Sequence, residues 1–304
     1  MTPGAGSAGG APENGQDKKK RPSQGEKKRI ELLVAYDGTH YCGWQIQKNG
    51  ITVQEVLTRE LSRLLKEDIS VSGASRTDSG VHARGNLAVF DTCTRIPPEK
   101  ISYALNERLP EDIVVRRSAE VVPDFHPRKC KSRKTYEYRI LNHRFRDPLE
   151  RLYSTFIHAP LDAEAMKKGA AWLVGEHDFA SFCSAGAQVT STVRTIYEAA
   201  VIKTGDMITI RLTGNGFLYN MVRIIAGTLI QVGMHTCPPE RVKEILEARD
   251  RSAAGPTAPA EGLTLMKIEI DENEPRYPQK PAGQTAKEAA SPEEMAQKNE
   301  REMA

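Results

Sequence analysis

Three ionisable side chains, Arg76, Asp78 and His82, lie close together in the run Ser72-Gly73-Ala74-Ser75-Arg76-Thr77-Asp78-Ser79-Gly80-Val81-His82-Ala83-Arg84-Gly85. A carboxylate bracketed by two potential cations should stay ionised, which makes Asp78 a candidate for acid–base work. Glycines at 73, 80 and 85 allow tight turns and the close approach of a large ligand. From spacing alone a plainer reading stays open, a polar loop in which Asp78 caps a turn and pairs with Arg76.

The elements around this loop are readable from periodicity. Ile30 to Ala35 reads as a strand turned by Asp37 and Gly38, and Thr52 with Glu55 forms a capping box that starts a helix carrying Val53, Leu57, Leu61 and Leu64. Ile69 to Gly73 returns to strand character, the loop spans Ala74 to Gly80, and strands follow at Leu87 to Phe90, Ile113 to Val115 and Thr135 to Leu141, with a short helix from Pro97 toward Leu105. The second part reads as a helix from Asp162 to Leu173, a hairpin of Val193 to Ile202 and Met207 to Leu212 joined at Gly205-Asp206, helices at Tyr219 to Val232 and Pro238 to Ala248, and a last strand, Leu263 to Ile270. This mixture, with hairpins, predicts an α+β fold rather than a doubly wound parallel sheet.

The 304 residues are 39% hydrophobic and 27% charged, enough for a sizeable core, and no stretch approaches the ~18 apolar residues of a membrane span. Five scattered cysteines, Cys42, Cys93, Cys130, Cys183 and Cys237, predict free thiols in a reducing cytosol. No CxxC, HxH or HExxH pattern occurs, so no metal is expected, and the zinc set that a base deaminase requires is missing. The charge, 43 Lys and Arg against 40 Asp and Glu, is unevenly spread. Residues 1–29 form a basic extension expected to be disordered, a solvated arm, a nuclear address or a loose nucleic-acid tether, and 271–304 a second, charged tail. The densest basic stretch in the nearly neutral middle is 126–146, the candidate patch for a polyanion.

The loop resembles the GRTDAGVHA signature of the TruA-type tRNA pseudouridine synthases. Further family-like segments run in order: Tyr36-Asp37-Gly38 with Gly43-Trp44-Gln45, Asp124-Phe125-His126-Pro127-Arg128, Thr135-Tyr136-Glu137-Tyr138-Arg139, Gly175-Glu176-His177-Asp178-Phe179, Asn215 through Arg223, and Ala260-Glu261-Gly262-Leu263. The resemblance implies a largely antiparallel mixed sheet flanked by helices, in two similar halves, 30–150 carrying the Asp78 loop and 151–270, with the active cleft between them. It implies a cytoplasmic homodimer that clasps tRNA, uses no cofactor or metal, and isomerises uridine to pseudouridine in the anticodon stem-loop at positions 38, 39 and 40. The target base would be flipped out of its stack.

By the same resemblance Asp78 matches the catalytic aspartate, attacking the anomeric carbon or removing a sugar proton. Arg76 pairs with that carboxylate and helps hold open the displaced base's space, or grips a phosphate. Tyr136 stacks on the uracil, while Tyr138 and Ile140 alternate into the core. Arg223, on an apolar helix, is expected to pair with Asp78, because a buried arginine without a partner is costly. His126 and Arg128 would contact RNA, Phe217 either lines the uracil pocket or joins the core, His82 shapes the loop, and Trp44 packs. Ser75 stands where the family has glycine, Ser79 replaces alanine and Asn86-Leu87 replaces Gln-Val, departures that bear on substrate choice. Two alternatives stand beside this reading, a non-catalytic RNA-binding protein and a paralogue that modifies a different uridine.

Overall fold

The alternation of Ile30, Leu32 and Val34 builds β1 (Lys28–Tyr36), which buries all three side chains. The computed structural model describes residues 26–186 and 189–278. Most of the basic extension and the tail beyond 278 lie outside the described residues. β1 begins two residues before the expected start because Lys28 and Arg29 already pair with Thr92 and Asp91.

Thr52 caps α1 (Val53–Leu65) as expected, its Oγ1 accepting the Glu55 N–H at 3.3 Å. Of the anticipated strand at 69–73 only β2 (Ser72–Gly73) forms, paired to β3 (His82–Thr92). β3 starts five residues before its apolar run, because Ala83 and Asn86 join a ladder with Tyr36 and Val34 of β1. α2 (Ile101–Asn106) and β4 (Ile113–Val121) complete this wing.

Next come β5 (Ser132–Asn142), β6 (Thr155–Ile157), α3 (Ala163–Ala171), β7 (Gly175–Asp178), and the hairpin of β8 (Val193–Thr204) and β9 (Met207–Gly214), turned at Gly205-Asp206. α4 (Met221–Gly233), α5 (Arg241–Ala248) and β10 (Leu263–Ile270) follow. Periodicity gave no sign of β6 or β7, which are short, and β7 is the polar string Gly-Glu-His-Asp at the sheet edge.

The strands form one ten-stranded sheet with the main order β4-β1-β3-β10-β5-β9-β8-β7. Its pairs are antiparallel except β3 with β10 and β5 with β6, so the architecture is mixed α+β and largely antiparallel. The last strand lies at the centre: Leu265 of β10 faces Ala83 of β3 on one side and Tyr136 of β5 on the other. That row brings the end of the Asp78 loop beside Tyr136. β5 pairs on both sides with strands that follow it in the chain, so 30–150 does not close a sheet by itself.

The expected charged tail starts later than 271. Arg276 reaches the buried Glu31 with two bonds, 2.6 and 2.9 Å, and Arg117 adds a third at 3.1 Å. Glu31 is 1% exposed, so this cluster pins the segment after β10 onto β1 and β4.

Candidate active site

The Asp78 loop rests on the turn after β1. Tyr36 Oη and Thr77 Oγ1 are 2.7 Å apart, the Trp44 N–H donates to Thr77 O at 3.1 Å, and Tyr41 O accepts the N–H of Gly80. Gly43, at φ 81°, lies so close that a Cβ there would come within 2.5 Å of Thr77 O, so glycine is required both for the left-handed backbone and for the contact. Trp44 is buried beneath this turn, a packing residue.

The Asp78 carboxylate opens into a cleft of about 920 Å³. Its one ion pair among the described residues is with Arg223, Nη1 to Oδ2 at 3.7 Å. The arginine is held from behind: Nε donates to Ala258 O at 2.8 Å and Nη1 to Asn220 Oδ1 at 3.0 Å. Asn220 stands just before α4 in the left-handed region, φ 59°, a conformation asparagine tolerates better than most residues. Burial raises the Asp78 pKa above the ordinary carboxylate range, and Arg223 opposes that rise.

The cations flanking Asp78 in sequence are not its partners in space. Arg76 is exposed, lines the cleft, and makes no ion pair with Asp78 among the described residues. Alternating side chains explain this, since Arg76 leaves the loop toward solvent while Thr77 turns inward. His82 does not line the cleft; its Nδ1 accepts the Gly38 N–H at 3.0 Å and lies 3.0 Å from Asp37 Oδ1, behind the loop. His126 is also outside the cleft lining, its Nδ1 accepting the Arg128 N–H at 3.2 Å. Arg128 itself lines the cleft.

Tyr136 forms a wall with Phe217, ring centroids 5.0 Å apart in an edge-on arrangement. Phe217 is half-buried and lines the cleft while packing against the core. Tyr138 and Ile140 continue the same strand face into the core, fully buried. Burial pushes the Tyr136 phenol up to about 12, so it stays neutral, and its oxygen lies 2.7 Å from Ser75 Oγ.

Arg194 was not picked out from the sequence at all, Lys134 only as part of the basic run, and Asn220 and Ser75 only within motifs and not for their contacts with Arg223 and Tyr136. Lys134 was legible in principle, since it precedes Tyr136 by two on a strand and must share its face. Conversely the basic run 126–146 does not form one patch. Arg133 lies over the Tyr197 ring, Arg139 pairs with Glu150 and Arg146 lies over Phe156.

A family model described as tRNA pseudouridine synthase matches residues 32–128 and 170–271. The chain belongs to the tRNA pseudouridine synthase family. It is thereby an isomerase, a tRNA pseudouridine synthase. Among curated relatives, tRNA pseudouridine synthase A of Thermoanaerobacter sp. (strain X514) is 49% identical over 241 residues, 79% of this chain and 99% of the relative. The proteins of the same name from Ruminiclostridium cellulolyticum and Brevibacillus brevis are 50% and 47% identical, again over 79% of this chain and 99% of their own length. No helix among the described residues is long and apolar enough to cross a membrane.

Proposed function

We propose that this tRNA pseudouridine synthase acts on uridines 38, 39 and 40 of the anticodon stem-loop, with Asp78 as its catalytic carboxylate. The observation that carries the reading is the Asp78 carboxylate, paired with Arg223, opening into a cleft walled by Tyr136 and Phe217. A paired uridine cannot be reached in its stack, so the nucleotide is extruded and its uracil rests on the Tyr136 ring.

The reaction breaks the bond between C1′ and N1, turns the uracil and joins C1′ to C5; the C5 hydrogen leaves as a proton and the freed N1 takes one up. Asp78 acts either by attacking C1′ or by removing a sugar proton; both routes need it ionised. Arg223 favours the ionised form against the burial that opposes it. Arg76, projecting from the loop into the cleft, takes the space left by the displaced base or grips a phosphate, and Arg128 contacts the RNA backbone. Two similar halves meeting at β10, a homodimer that clasps one tRNA, and a cytoplasmic location complete the proposal. The dimer is checked by light scattering, where a monomeric mass at working concentration counts against it.

Tritium release from tRNA transcript labelled at uracil C5 tests the core of the reading. The parent should release tritium, and Asp78→Asn should bind tRNA but release ~10²–10⁴-fold more slowly or not at all. Release by both proteins would remove Asp78 from the chemistry. Binding by both with release by neither would favour a silent RNA binder or another RNA substrate.

A further inference from the structure

The cleft is far more cationic than its own carboxylates can balance. Arg76, Arg128, Lys134 and Arg194 all line it, and the one acidic residue in its lining, Asp78, is already paired with Arg223. Among the described residues none of the four has an ion pair. Three are instead tied from behind by neutral acceptors: Lys134 Nζ donates to Ala74 O at 3.1 Å, Arg128 Nη2 to Ser72 Oγ at 3.4 Å, and Arg194 Nη1 to the carbonyls of Ser191 and Val193 at 2.9 and 2.6 Å. These bonds fix the cationic heads and leave other N–H donors free.

We propose that Lys134 and Arg194, together with Arg128, form a phosphate seat that grips the RNA backbone next to the nucleotide stacked on Tyr136. The seat deepens the function proposed above and rests on it. Strand geometry gives it its place. Lys134 and Tyr136 are two residues apart on β5 and so share a face, ~7 Å from each other along the strand. A nucleotide with its base on the ring therefore presents its backbone within reach of the ammonium group. Arg194, second residue of β8, lies across β9 from β5, beside the Asn215-Gly216-Phe217 turn that holds the other aromatic wall.

The electrostatics agree with a seat awaiting its anion. Burial, with Arg128 and Arg194 nearby, pushes the Lys134 ammonium down to about 8, and burial, with the Arg76 charge nearby, lowers the pKa of Arg128. Like charges held this close are costly until an anion arrives, and a phosphodiester supplies one without asking for a particular base. The rest of the basic run serves as an internal contrast: Arg133 neighbours Lys134 on the same strand, but it points to the opposite face and lies over Tyr197.

The test measures tRNA affinity of the full chain between about 50 and 200 mM salt. Lys134→Gln and Arg194→Gln should each reduce the slope of log affinity against log salt by ~0.7–1, the signature of one lost phosphate contact. Lys134→Arg should restore the parent slope, and Arg133→Gln should leave it unchanged. Near-UV circular dichroism equal to the parent's shows which variants are folded, and Arg194→Gln carries the test if Lys134→Gln does not fold. Unchanged slopes in folded variants, or an equal drop in Arg133→Gln, would overturn the seat while parent tritium release keeps the enzyme reading intact. A parent that neither binds tRNA nor releases tritium would overturn both.

Discussion

Ser75 Oγ lies 2.7 Å from Tyr136 Oη, and both side chains are buried. The hydroxyl thus locks the aromatic wall of the cleft to the loop that carries Asp78. Asn86 clamps the same residue from the other side, its Oδ1 accepting the Ser75 N–H at 3.2 Å and its Nδ2 donating to Ser75 O at 3.0 Å. The structure thus makes Ser75 and Asn86 parts of one network.

Breaking that network should cost stability in a coupled way. Ser75→Ala leaves a buried phenol unpaired, at about 1–3 kcal/mol. Tyr136→Phe leaves the serine hydroxyl unpaired, and the double variant should lose less than the sum, by ~0.5–1.5 kcal/mol. Urea unfolding of the four proteins measures this, and strict additivity would mean the contact holds nothing. Turnover should fall further in Tyr136→Ala than in Tyr136→Phe, because only the first removes the platform.

Asp78 gives two pH predictions of definite sign. Its folded pKa is raised, so the acid limb of kcat/KM should lie above the ordinary carboxylate value of ~3.9, and Arg223→Gln should move it higher by removing the opposing charge. A raised folded pKa also means the native state holds this proton more tightly than the unfolded chain. Its favourable contribution is complete below the unfolded value and is lost as pH rises through the folded one. Asp78→Asn keeps the neutral form at every pH, so at neutral pH it should be as stable as the parent or more so while losing turnover. Urea midpoints followed from pH 4 to 7 check the sign, and a less stable Asp78→Asn would contradict it.

Much of this site was legible because its chemistry sits in contiguous motifs. Asp78 could be singled out from its loop, Tyr136 from the family resemblance, and the Asp78–Arg223 pairing from that resemblance together with the cost of an unpartnered arginine on an apolar helix. Contacts that depend on side-chain direction within a loop could not. Arg76 is two residues from Asp78 yet exposed in the cleft without an ion pair to it among the described residues, while His82, four residues away, is turned behind the loop onto Gly38. The need for Gly43 against Thr77 is likewise invisible, since nothing local to residue 43 says which backbone will lie over it. β6 and β7 were missed because three or four residues show no period, and β10 gave no sign that it would insert at the sheet centre.

Composition misread the segment just after β10. Residues 271–278 look like the start of a charged tail, yet Arg276 is 18% exposed at its side chain and makes a two-bond pair with Glu31. Arg276→Met should leave Glu31 buried with Arg117 alone and destabilise the fold by about 2–4 kcal/mol, somewhat below the usual loss for stripping a buried acid of its only partner. Chemical denaturation reads this directly. An unchanged midpoint would return the segment to the status of a tail.

Lys134 supplies the sharpest pH signature, because its effects on folding and on RNA binding run in opposite directions. The group is desolvated and faced by Cys130, Arg128 and Arg194, with a folded pKa of about 8 against an ordinary ~10.4. Between those values the unfolded chain holds the extra proton, so stability should rise as pH increases above 8. Binding of a phosphate favours the charged ammonium, so tRNA affinity should fall over the same range, several-fold between pH 7 and 9, with proton uptake on complex formation. A guanidinium stays charged throughout, so Lys134→Arg should flatten both dependences. Calorimetric titration in buffers of different ionisation enthalpy measures the proton uptake, and an uptake that persists in Lys134→Arg would assign it to another group.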